Sequence, residues 1–430
     1  MTPRRRYLAA RLGYIAIVLL ATLTQLEFSP DLTAAAQRLA RAFTLSLGWR
    51  DAVDGLRNVA LFSGLGAVWV VTSLSGRVGV EVRRATLVAL TLSVTVEGLQ
   101  VFSPVRIASI VDVTTNTLGA LGGAVLVALV IAAVRGAKGA RSYLGLPIFL
   151  PAGSYALAVL CEALTPLFRS DPQAAGLGGG PLAQLRFALQ AALPLSAGEV
   201  PLLDLLLFAP AGFLTVAWLA EQGRAASRTW RTVTAAGAVL AFASEVVHGA
   251  FGVSIRWEAA TTHALALGAG AWAASHRLAA LTQALRGPPR ARAACFAYGL
   301  LLVLWGWRPF LPETDGDLIA GQLTTAHLVP LLSLANRVDV FSAAHVAQQF
   351  FLYVPLGSLL AVWPLRSVGY WSHLRPGVLL AVAIEVGHLV ISGRYLDVTN
   401  AIIACAGLAI GWIIVRRSGF APYGEALPRA

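Results

Sequence analysis

Apolar stretches alternate with short polar connections along almost the whole chain. Runs close to 20 residues recur, and about 20 apolar residues are what an α-helix needs to cross a bilayer. The pattern predicts about twelve transmembrane helices, at residues 11–28, 55–76, 85–102, 110–134, 145–166, 200–220, 231–250, 259–276, 292–310, 343–363, 376–393 and 398–415. Because backbone groups inside a bilayer must be satisfied within the protein, the expected fold class is all-α.

The composition agrees with this pattern. The 430 residues are 57% hydrophobic and only 13% charged, and the mean hydropathy is +0.71. Soluble domains carry about 25% charged residues. The sequence therefore predicts a polytopic integral membrane protein.

The net charge of +12 is explained by where the basic residues lie relative to the predicted helices. Most arginines and lysines fall in connections on one side of the predicted helices, and the positive-inside rule assigns that side, with both termini, to the cytoplasm. No soluble basic domain is present, so we expect no nucleic-acid partner. The three cysteines lie in apolar stretches without metal-like spacing, and we expect neither a metal nor a cofactor.

A pattern of polar residues recurs inside this apolar sequence. The first copy consists of Glu97, Gln100, Arg106, Ser109, Asp112, Asn116, Gly119 and Gly123. The last copy consists of Glu385, His388, Arg394, Asp397, Asn400, Ala404, Gly407 and Gly411, at the same distances from its glutamate. A middle copy beginning with Glu245, His248 and Arg256 is degraded.

The recurrence predicts three tandem units of four helices each. We name them repeat 1 (1–138), repeat 2 (139–286) and repeat 3 (287–430). Four helices that start in the cytoplasm also end there, so the repeats are parallel and not inverted. The second helix of each repeat supports this division into three repeats. In each, a polar residue is followed by an aromatic residue at +4, proline or glycine at +6 and glycine at +8. These segments are 58–66, 204–212 and 349–357.

In each repeat the third and fourth helices form a hairpin that gathers the polar residues at one depth, near the external surface. The candidate ligand-binding residues are Asn58, Glu97, Gln100, Arg106, Asp112, Asn116, Glu385, His388, Arg394, Asp397 and Asn400. Small residues four apart allow close helix contact. The candidate packing residues are Gly119, Gly123, Gly407 and Gly411.

Two interpretations of the cluster remain open. Charges inside a membrane protein are usually paired, so Arg106 would bond to Glu97 or Asp112 and pin the hairpin turn. Alternatively, the arginine binds a phosphate or carboxylate in a pocket open to the outer leaflet. Repeat 2 lacks the aspartate and the asparagine, which predicts working sites in repeats 1 and 3 only.

The histidines three residues after Glu245 and Glu385 allow a further alternative. A His–carboxylate pair at this spacing is able to shuttle protons, whereas a neutral, hydrogen-bonded imidazole is the simpler state. The sequence favours the neutral state.

The combined pattern resembles the VanZ-like family of bacterial membrane proteins. It covers residues 54–123 of repeat 1 well and residues 349–411 of repeat 3 in part, and repeat 2 looks like a divergent copy. Repeat 1 has Gly64 where the family usually has proline, and repeat 3 has Ala404 in place of the usual asparagine. The resemblance implies a multi-pass protein of the bacterial inner membrane, linked to the cell envelope and to resistance to lipid-bearing glycopeptides.

The expected function combines the hairpin with this resemblance. The protein is expected to bind or handle an amphiphile with an anionic headgroup at the outer leaflet, with membrane lipids or lipid-linked envelope precursors as partners. An intramembrane lipid-headgroup hydrolase or transferase is the first alternative, with Glu97 or Glu385 as the base. A transporter is the second, although the polar residues lie mainly on the external side.

Overall fold

The structure is a computed structural model. It describes residues 3–23, 27–43, 49–73, 77–104, 108–137, 146–169, 185, 202–250, 253–284, 288–323, 325–330, 340–363 and 370–420. These residues form an all-helical protein without strands. The helices are α1 (Pro3–Leu23), α2 (Leu32–Arg41), α3 (Trp49–Val71), α4 (Val78–Gln100), α5 (Ile110–Gly136), α6 (Phe149–Arg169), α7 (Leu205–Glu221), α8 (Ala226–Ala250), α9 (Trp257–Ala284), α10 (Pro288–Gly306), α11 (Gly316–Gly321), α12 (Thr325–Leu328), α13 (Val340–Val362), α14 (Tyr370–Gly387) and α15 (Val398–Arg417).

Five helices of the described chain are long and apolar enough to cross a membrane. These candidate spans are Ile110–Gly136, Ala226–Ala250, Ala344–Val362, Ser372–Val390 and Val398–Arg417. Helices also lie at the other predicted positions, some of them shorter apolar segments such as Leu205–Glu221. The total of twelve membrane crossings therefore stays a prediction.

The chain separates into two compact units. The first comprises residues 1–133 and 338–343, and the second comprises residues 134–337 and 344–430. The first contains most of repeat 1, and the second contains repeat 2 with most of repeat 3. The organisation in three repeats stays a prediction.

A tyrosine of α1 holds the first two long helices of repeat 1 together. The Tyr14 hydroxyl donates to the Leu61 carbonyl of α3 at 2.9 Å. A Cβ at Gly64 would lie 1.8 Å from that hydroxyl oxygen, so the Tyr14 side chain of repeat 1 occupies the space that a larger residue at position 64 would need. The equivalent positions in repeats 2 and 3 are Pro210 and Pro355.

The same bond recurs in the second compact unit. The Tyr155 hydroxyl of α6 donates to the Leu207 carbonyl of α7 at 2.8 Å. The Tyr298 hydroxyl of α10 donates to the Leu352 carbonyl of α13 at 2.7 Å. In all three places the acceptor immediately precedes the aromatic residue of the second-helix pattern, so the sequence periodicity has a matching physical contact.

The glycines of the fourth helices lie against the backbone of the second helices. A Cβ at Gly119 would be 2.6 Å from the carbonyl oxygen of Val59, and one at Gly123 would be 2.0 Å from that of Ser63. In repeat 3 the corresponding distances are 2.3 Å for Gly407 and 2.2 Å for Gly411. Only a residue without a side chain fits at such a contact.

Candidate functional site

A buried glutamate at the end of each third helix accepts a hydrogen bond from the backbone that starts the fourth helix. Glu97 Oε2 accepts from the Ser109 amide at 2.9 Å. Glu385 Oε2 accepts from the Asp397 amide at 3.3 Å. A carboxylate is stabilised at a helix N-terminus by the unsatisfied amides and the helix dipole. The glutamate therefore joins the two helices of the hairpin.

Repeat 2 makes the same bond, but its donor is Arg256, which the sequence pattern matched to Arg106 and Arg394. Glu245 Oε2 accepts from the Arg256 amide at 2.8 Å, and the Arg256 side chain contacts Glu258 at 3.3 Å. Arg256 is thus the positional counterpart of Ser109 and Asp397. The sequence-based match of Arg256 to the other arginines is wrong, because the turn in repeat 2 is shorter.

The residue three positions after each glutamate bonds to the first helix. The side-chain nitrogen of Gln100 donates to the Thr22 carbonyl at 3.3 Å. His248 Nε2 lies 2.9 Å from the Ala163 carbonyl oxygen, and His388 Nε2 lies 3.1 Å from that of Gly306. Each acceptor lies eight residues after the first-helix tyrosine. These side chains are buried and connect the third helix to the first.

A second set of polar contacts connects the second and fourth helices, and its members are less buried. In repeat 1, Asn58 Nδ2 donates to Asp112 Oδ1 at 2.8 Å. In repeat 3, His345 Nε2 lies 3.1 Å from Asn400 Oδ1. The sequence pattern indicated Asn58 but did not indicate His345, which lies one helical turn before the position equivalent to Asn58.

Asn116 lies deeper in repeat 1. Its side-chain nitrogen donates to the Ser93 hydroxyl at 2.8 Å, and its Oδ1 has no hydrogen-bond partner among the described residues. The equivalent position in repeat 3 is the buried Ala404, so this contact is specific to repeat 1.

The two arginines of the pattern differ in what the structure describes. Arg106 lies outside the described residues. The Arg394 Nε donates to the Arg308 carbonyl at 2.8 Å, and the Arg394 side chain is half-buried. Gly393, just before it, has φ +74°, a conformation that favours glycine. Asp397 caps α15 by accepting from the Thr399 amide at 2.8 Å.

The candidate residues therefore form two layers. The buried layer consists of Glu97, Gln100 and Asn116 in repeat 1 and of Glu385 and His388 in repeat 3, and its bonds hold helices together. The half-buried layer consists of Asn58 and Asp112 in repeat 1 and of Arg394, Asp397 and Asn400 in repeat 3. Among the candidate residues that the structure describes, only those of the half-buried layer have substantial side-chain surface that a ligand can reach.

Sequence reasoning did not find the charged cluster around Arg308, which follows α10. The Arg308 guanidinium lies 3.1 Å from Glu162 and 3.6 Å from Asp204, and Gln348 also donates to Glu162. Asp204 in turn lies 2.8 Å from His263 Nε2. The cluster connects repeats 2 and 3. The second-helix pattern indicates Asp204, but Glu162 has no acidic counterpart in the other repeats.

The described residues contain no group of three or more histidine, cysteine, aspartate or glutamate side chains that could hold a metal ion. The half-buried residues of the hairpins offer hydrogen-bonding and charged groups. A guanidinium and a carboxylate at half-buried positions are able to bind a polar headgroup and to orient it.

The fold and the repeated hairpin define an all-helical protein whose helices are suited to a membrane. The family model described as VanZ/LLP1 matches residues 10–131 and 296–419. These two matches cover more than half of the chain, which belongs to this family. The resemblance inferred from the hairpin pattern is thereby confirmed, while residues 132–295 lie outside both matches. No curated protein and no solved structure matches the chain.

Proposed function

We propose that this VanZ-like protein resides in the bacterial cytoplasmic membrane, where it binds an amphiphile with an anionic headgroup at the outer leaflet. The proposal is carried by the half-buried layer of polar side chains, which includes Arg394 and is distinct from the buried hydrogen-bonded layer. With both termini in the cytoplasm, as the basic residues predict, this layer faces the outer leaflet. The binding residues would be Asn58 and Asp112 in repeat 1, and Arg394, Asp397 and Asn400 in repeat 3.

The chemistry of Arg394 supports an anionic ligand. A guanidinium presents five N–H donors in a planar fork that matches the oxygens of phosphate and carboxylate groups. The bond from its Nε to the Arg308 carbonyl fixes the plane of the group. A donor that is held in place before binding loses less conformational entropy when the ligand arrives. Lipid-bearing glycopeptides of the teicoplanin type, which the family resemblance implies, are a second candidate ligand for this site.

The buried glutamates support binding more than catalysis. A general base needs a carboxylate oxygen within hydrogen-bond reach of the substrate proton. Glu97 and Glu385 are buried, and each carboxylate already accepts a backbone amide hydrogen. Their geometry is that of helix-joining residues, and the hydrolase and transferase alternatives gain no support from it.

An Arg394→Gln variant tests the binding site. We expect at least tenfold weaker binding of a short-chain phosphatidylglycerol, since a hydrogen bond to a charged group contributes about 1.5–3 kcal/mol. The measurement is a titration of the detergent-solubilised protein, with short-chain phosphatidylcholine as the zwitterionic comparison.

Arg256→Gln is the matched control, because Arg256 lies at the equivalent turn of repeat 2 and its side chain contacts Glu258. It should bind phosphatidylglycerol like the unmodified protein. Equal weakening in both variants would indicate general attraction between a basic protein and an anionic lipid. Unchanged binding in Arg394→Gln would contradict the proposed site.

We further propose that residues 139–286 are a diverged third copy of the family unit. The support is that the tyrosine–carbonyl bond and the glutamate–amide bond recur there, outside the family matches. The acceptor of the His248 ring also occupies the same place relative to the tyrosine as in the other two repeats. A chance arrangement would not reproduce three separate contacts in register.

Removing the tyrosine hydroxyls tests this equivalence. We expect Tyr14→Phe, Tyr155→Phe and Tyr298→Phe each to lower the free energy of unfolding by about 1 kcal/mol, the usual net contribution of one hydrogen bond. Reversible unfolding in detergent measures the loss. Tyr395→Phe is the control, because Tyr395 is exposed. A Tyr155→Phe variant as stable as the unmodified protein would count against a third copy.

A further inference from the structure

The short helix α2 lies across the turn of the repeat 1 hairpin. The Ser29 amide, just before α2, donates to the Phe102 carbonyl at 2.8 Å. The Ile110 amide donates to the carbonyl of Ala42, just after α2, at 3.0 Å. Phe102 follows the end of α4, and Ile110 begins α5. The two ends of α2 are therefore tied to the two sides of the turn, at the depth where α4 ends and α5 starts.

The sides of α2 have different surroundings. Ala35 and Ala42 are seven residues apart on one side, and they are buried against the turn. An adjacent side carries large apolar residues, each more than half exposed, at a spacing of seven and four residues: Leu32, Leu39 and Phe43. The remaining side carries the exposed polar residues Thr33, Gln37 and Arg41. Because residues three, four and seven apart share one face of a helix, the exposed apolar residues form a continuous stripe.

This stripe lies at the boundary of the membrane-embedded part of the protein. The ten residues of α2 extend only about 15 Å, whereas a helix that crosses the hydrocarbon core needs about 30 Å. α5, whose first residue bonds to the end of α2, is one of the candidate membrane spans. At the end of a span, acyl chains lie on one side and water on the other. A helix with one apolar side and one polar side is stable there when it lies in the plane of the membrane.

The charge of α2 favours a phospholipid surface as its partner. The helix contains two arginines and no acidic residue. Arg38 donates from its guanidinium to the Val101 carbonyl at 3.2 Å, beside the hairpin turn, and Arg41 is exposed at the end of the helix. Arginines on the polar side of an in-plane helix lie among the lipid phosphates, which they attract.

The external segment of repeat 3 contacts its hairpin in the same way. The Glu313 amide donates to the Val390 carbonyl at 2.9 Å. Val390 follows its hairpin glutamate at the same distance as Phe102 does, from 385 to 390 and from 97 to 102. Val390 is also the last residue of the candidate span Ser372–Val390, so this segment too lies where a span ends.

The helix that follows is equivalent as well. Asp31 caps α2 and Asp315 caps α11, each by accepting from two amides of the first turn. Leu39 and Leu323 lie at the same distance after these aspartates, from 31 to 39 and from 315 to 323, and each is 51% exposed. The corresponding segment of repeat 2 lies outside the described residues.

We propose that α2 and α11 are in-plane helices that insert Leu39 and Leu323 into the outer leaflet of the phospholipid bilayer. They hold the turns of the hairpins in repeats 1 and 3 at the membrane surface. The assignment to the outer leaflet follows from the predicted orientation with both termini in the cytoplasm. The inference requires no ligand at Arg394 and does not rest on the proposed lipid-binding site.

Photo-crosslinking in proteoliposomes tests the insertion. The full-length protein carries p-benzoylphenylalanine in place of Leu39 or Leu323 and is reconstituted into phosphatidylethanolamine and phosphatidylglycerol. Matched controls carry it in place of Gln37 in α2 or Asp317 in α11, both exposed polar residues. After irradiation, the proteins labelled at Leu39 and Leu323 should gain the mass of one phospholipid, and the controls should not.

Other crosslinking results would overturn the proposal. Equal lipid adducts at all four positions would show that α2 and α11 have no preferred side toward the bilayer. Crosslinks between two copies of the chain, without lipid adducts, would identify the stripe as a contact between protein molecules. Absence of any adduct at Leu39 and Leu323 would place both residues in water.

Amide hydrogen exchange in the same proteoliposomes is the second measurement. Leu39→Glu places a charge in the apolar stripe, and exchange of the amides of α2 and of Ile110 should become at least about tenfold faster, given the free energy of burying a leucine side chain. Gln37→Glu adds the same charge on the polar side and should leave exchange unchanged. Slow exchange that persists within α5 would show that the Leu39→Glu variant is folded.

Equal exchange in the Leu39→Glu variant and the unmodified protein would contradict insertion of α2. The titration of Arg394→Gln with phosphatidylglycerol is independent of these results, because it measures a site in repeat 3 and leaves α2 and α11 unchanged. The two proposals can therefore fail separately.

Discussion

Gly123→Ala is expected to lower the free energy of unfolding by about 3 kcal/mol, the upper part of the usual range for an overpacked contact. The added Cβ would lie 2.0 Å from the Ser63 carbonyl oxygen and 2.7 Å from the Ser63 Cα. These neighbours are backbone atoms of α3, so no side-chain rotation relieves the overlap, and α5 must move away from α3. Reversible unfolding in detergent measures the change.

The neighbouring glycine provides the control for this prediction. A Cβ at Gly122 meets nothing within 4 Å, and the residue is exposed. Gly122→Ala should leave stability unchanged or raise it by up to about 1 kcal/mol, since alanine favours a helix over glycine. Similar effects of the two substitutions would show that the effect on stability comes from the backbone flexibility of glycine in α5, and not from the contact between α5 and α3. In repeat 3, Gly411→Ala should behave like Gly123→Ala.

Arg308→Ala is expected to lower the free energy of unfolding by about 3 kcal/mol, the lower end of the cost of removing one partner of a buried ion pair, because Arg308 is mostly buried and its acidic partners are partly exposed. The Arg308 side chain is 13% exposed, and Glu162 and Asp204 are 29% and 23% exposed. Without the guanidinium, two partly desolvated carboxylates lose their counter-charge. The packing of Arg308 over the Trp305 ring, 5.4 Å from its centroid, is lost as well.

Arg256→Ala is the matched comparison for Arg308→Ala. Arg256 pairs with Glu258 at 3.3 Å, but its side chain is 49% exposed, and exposed pairs contribute at most about 1 kcal/mol. Replacing Glu162 by glutamine in the Arg308→Ala background should restore part of the stability, because it removes one uncompensated charge. If Arg308→Ala and Arg256→Ala cost the same, the Arg308 cluster does not hold repeats 2 and 3 together.

The polar hairpin shows how much of the site the sequence periodicity predicts. The constant spacing from Glu97 to Ser109 and from Glu385 to Asp397 is visible in the sequence, and in the structure it is the span from a carboxylate to the amide that it accepts. In repeat 2 the turn is shorter, so the same spacing does not find the residue whose amide the glutamate accepts. The sequence suggests a match of the Arg256 side chain with the other arginines, whereas in the structure the Arg256 backbone amide makes the equivalent contact. Residue type alone does not distinguish these two roles.

The half-buried layer shows which contacts the sequence periodicity does not predict. Asn58 and Asp112 are 54 positions apart, and His345 and Asn400 are 55 apart. Each pair forms only when the second helix packs against the fourth. The sequence indicated Asn58 through the recurrence in the second helices, whereas His345 lies outside the recurring positions, so no pattern indicated it.

The sequence by itself determined the helical class, the membrane-like composition, the family and the recurring polar positions. These follow from local properties: the length of apolar runs, the cost of a charge among them, and spacing along one chain. Only the tertiary structure decided which of the recurring residues join helices and which keep accessible surface. It also decided that Tyr14, Tyr155 and Tyr298 connect the first and second helices, and that Arg308 meets Glu162, 146 residues away. Such contacts depend on how distant helices pack, and a one-dimensional pattern holds no record of that packing.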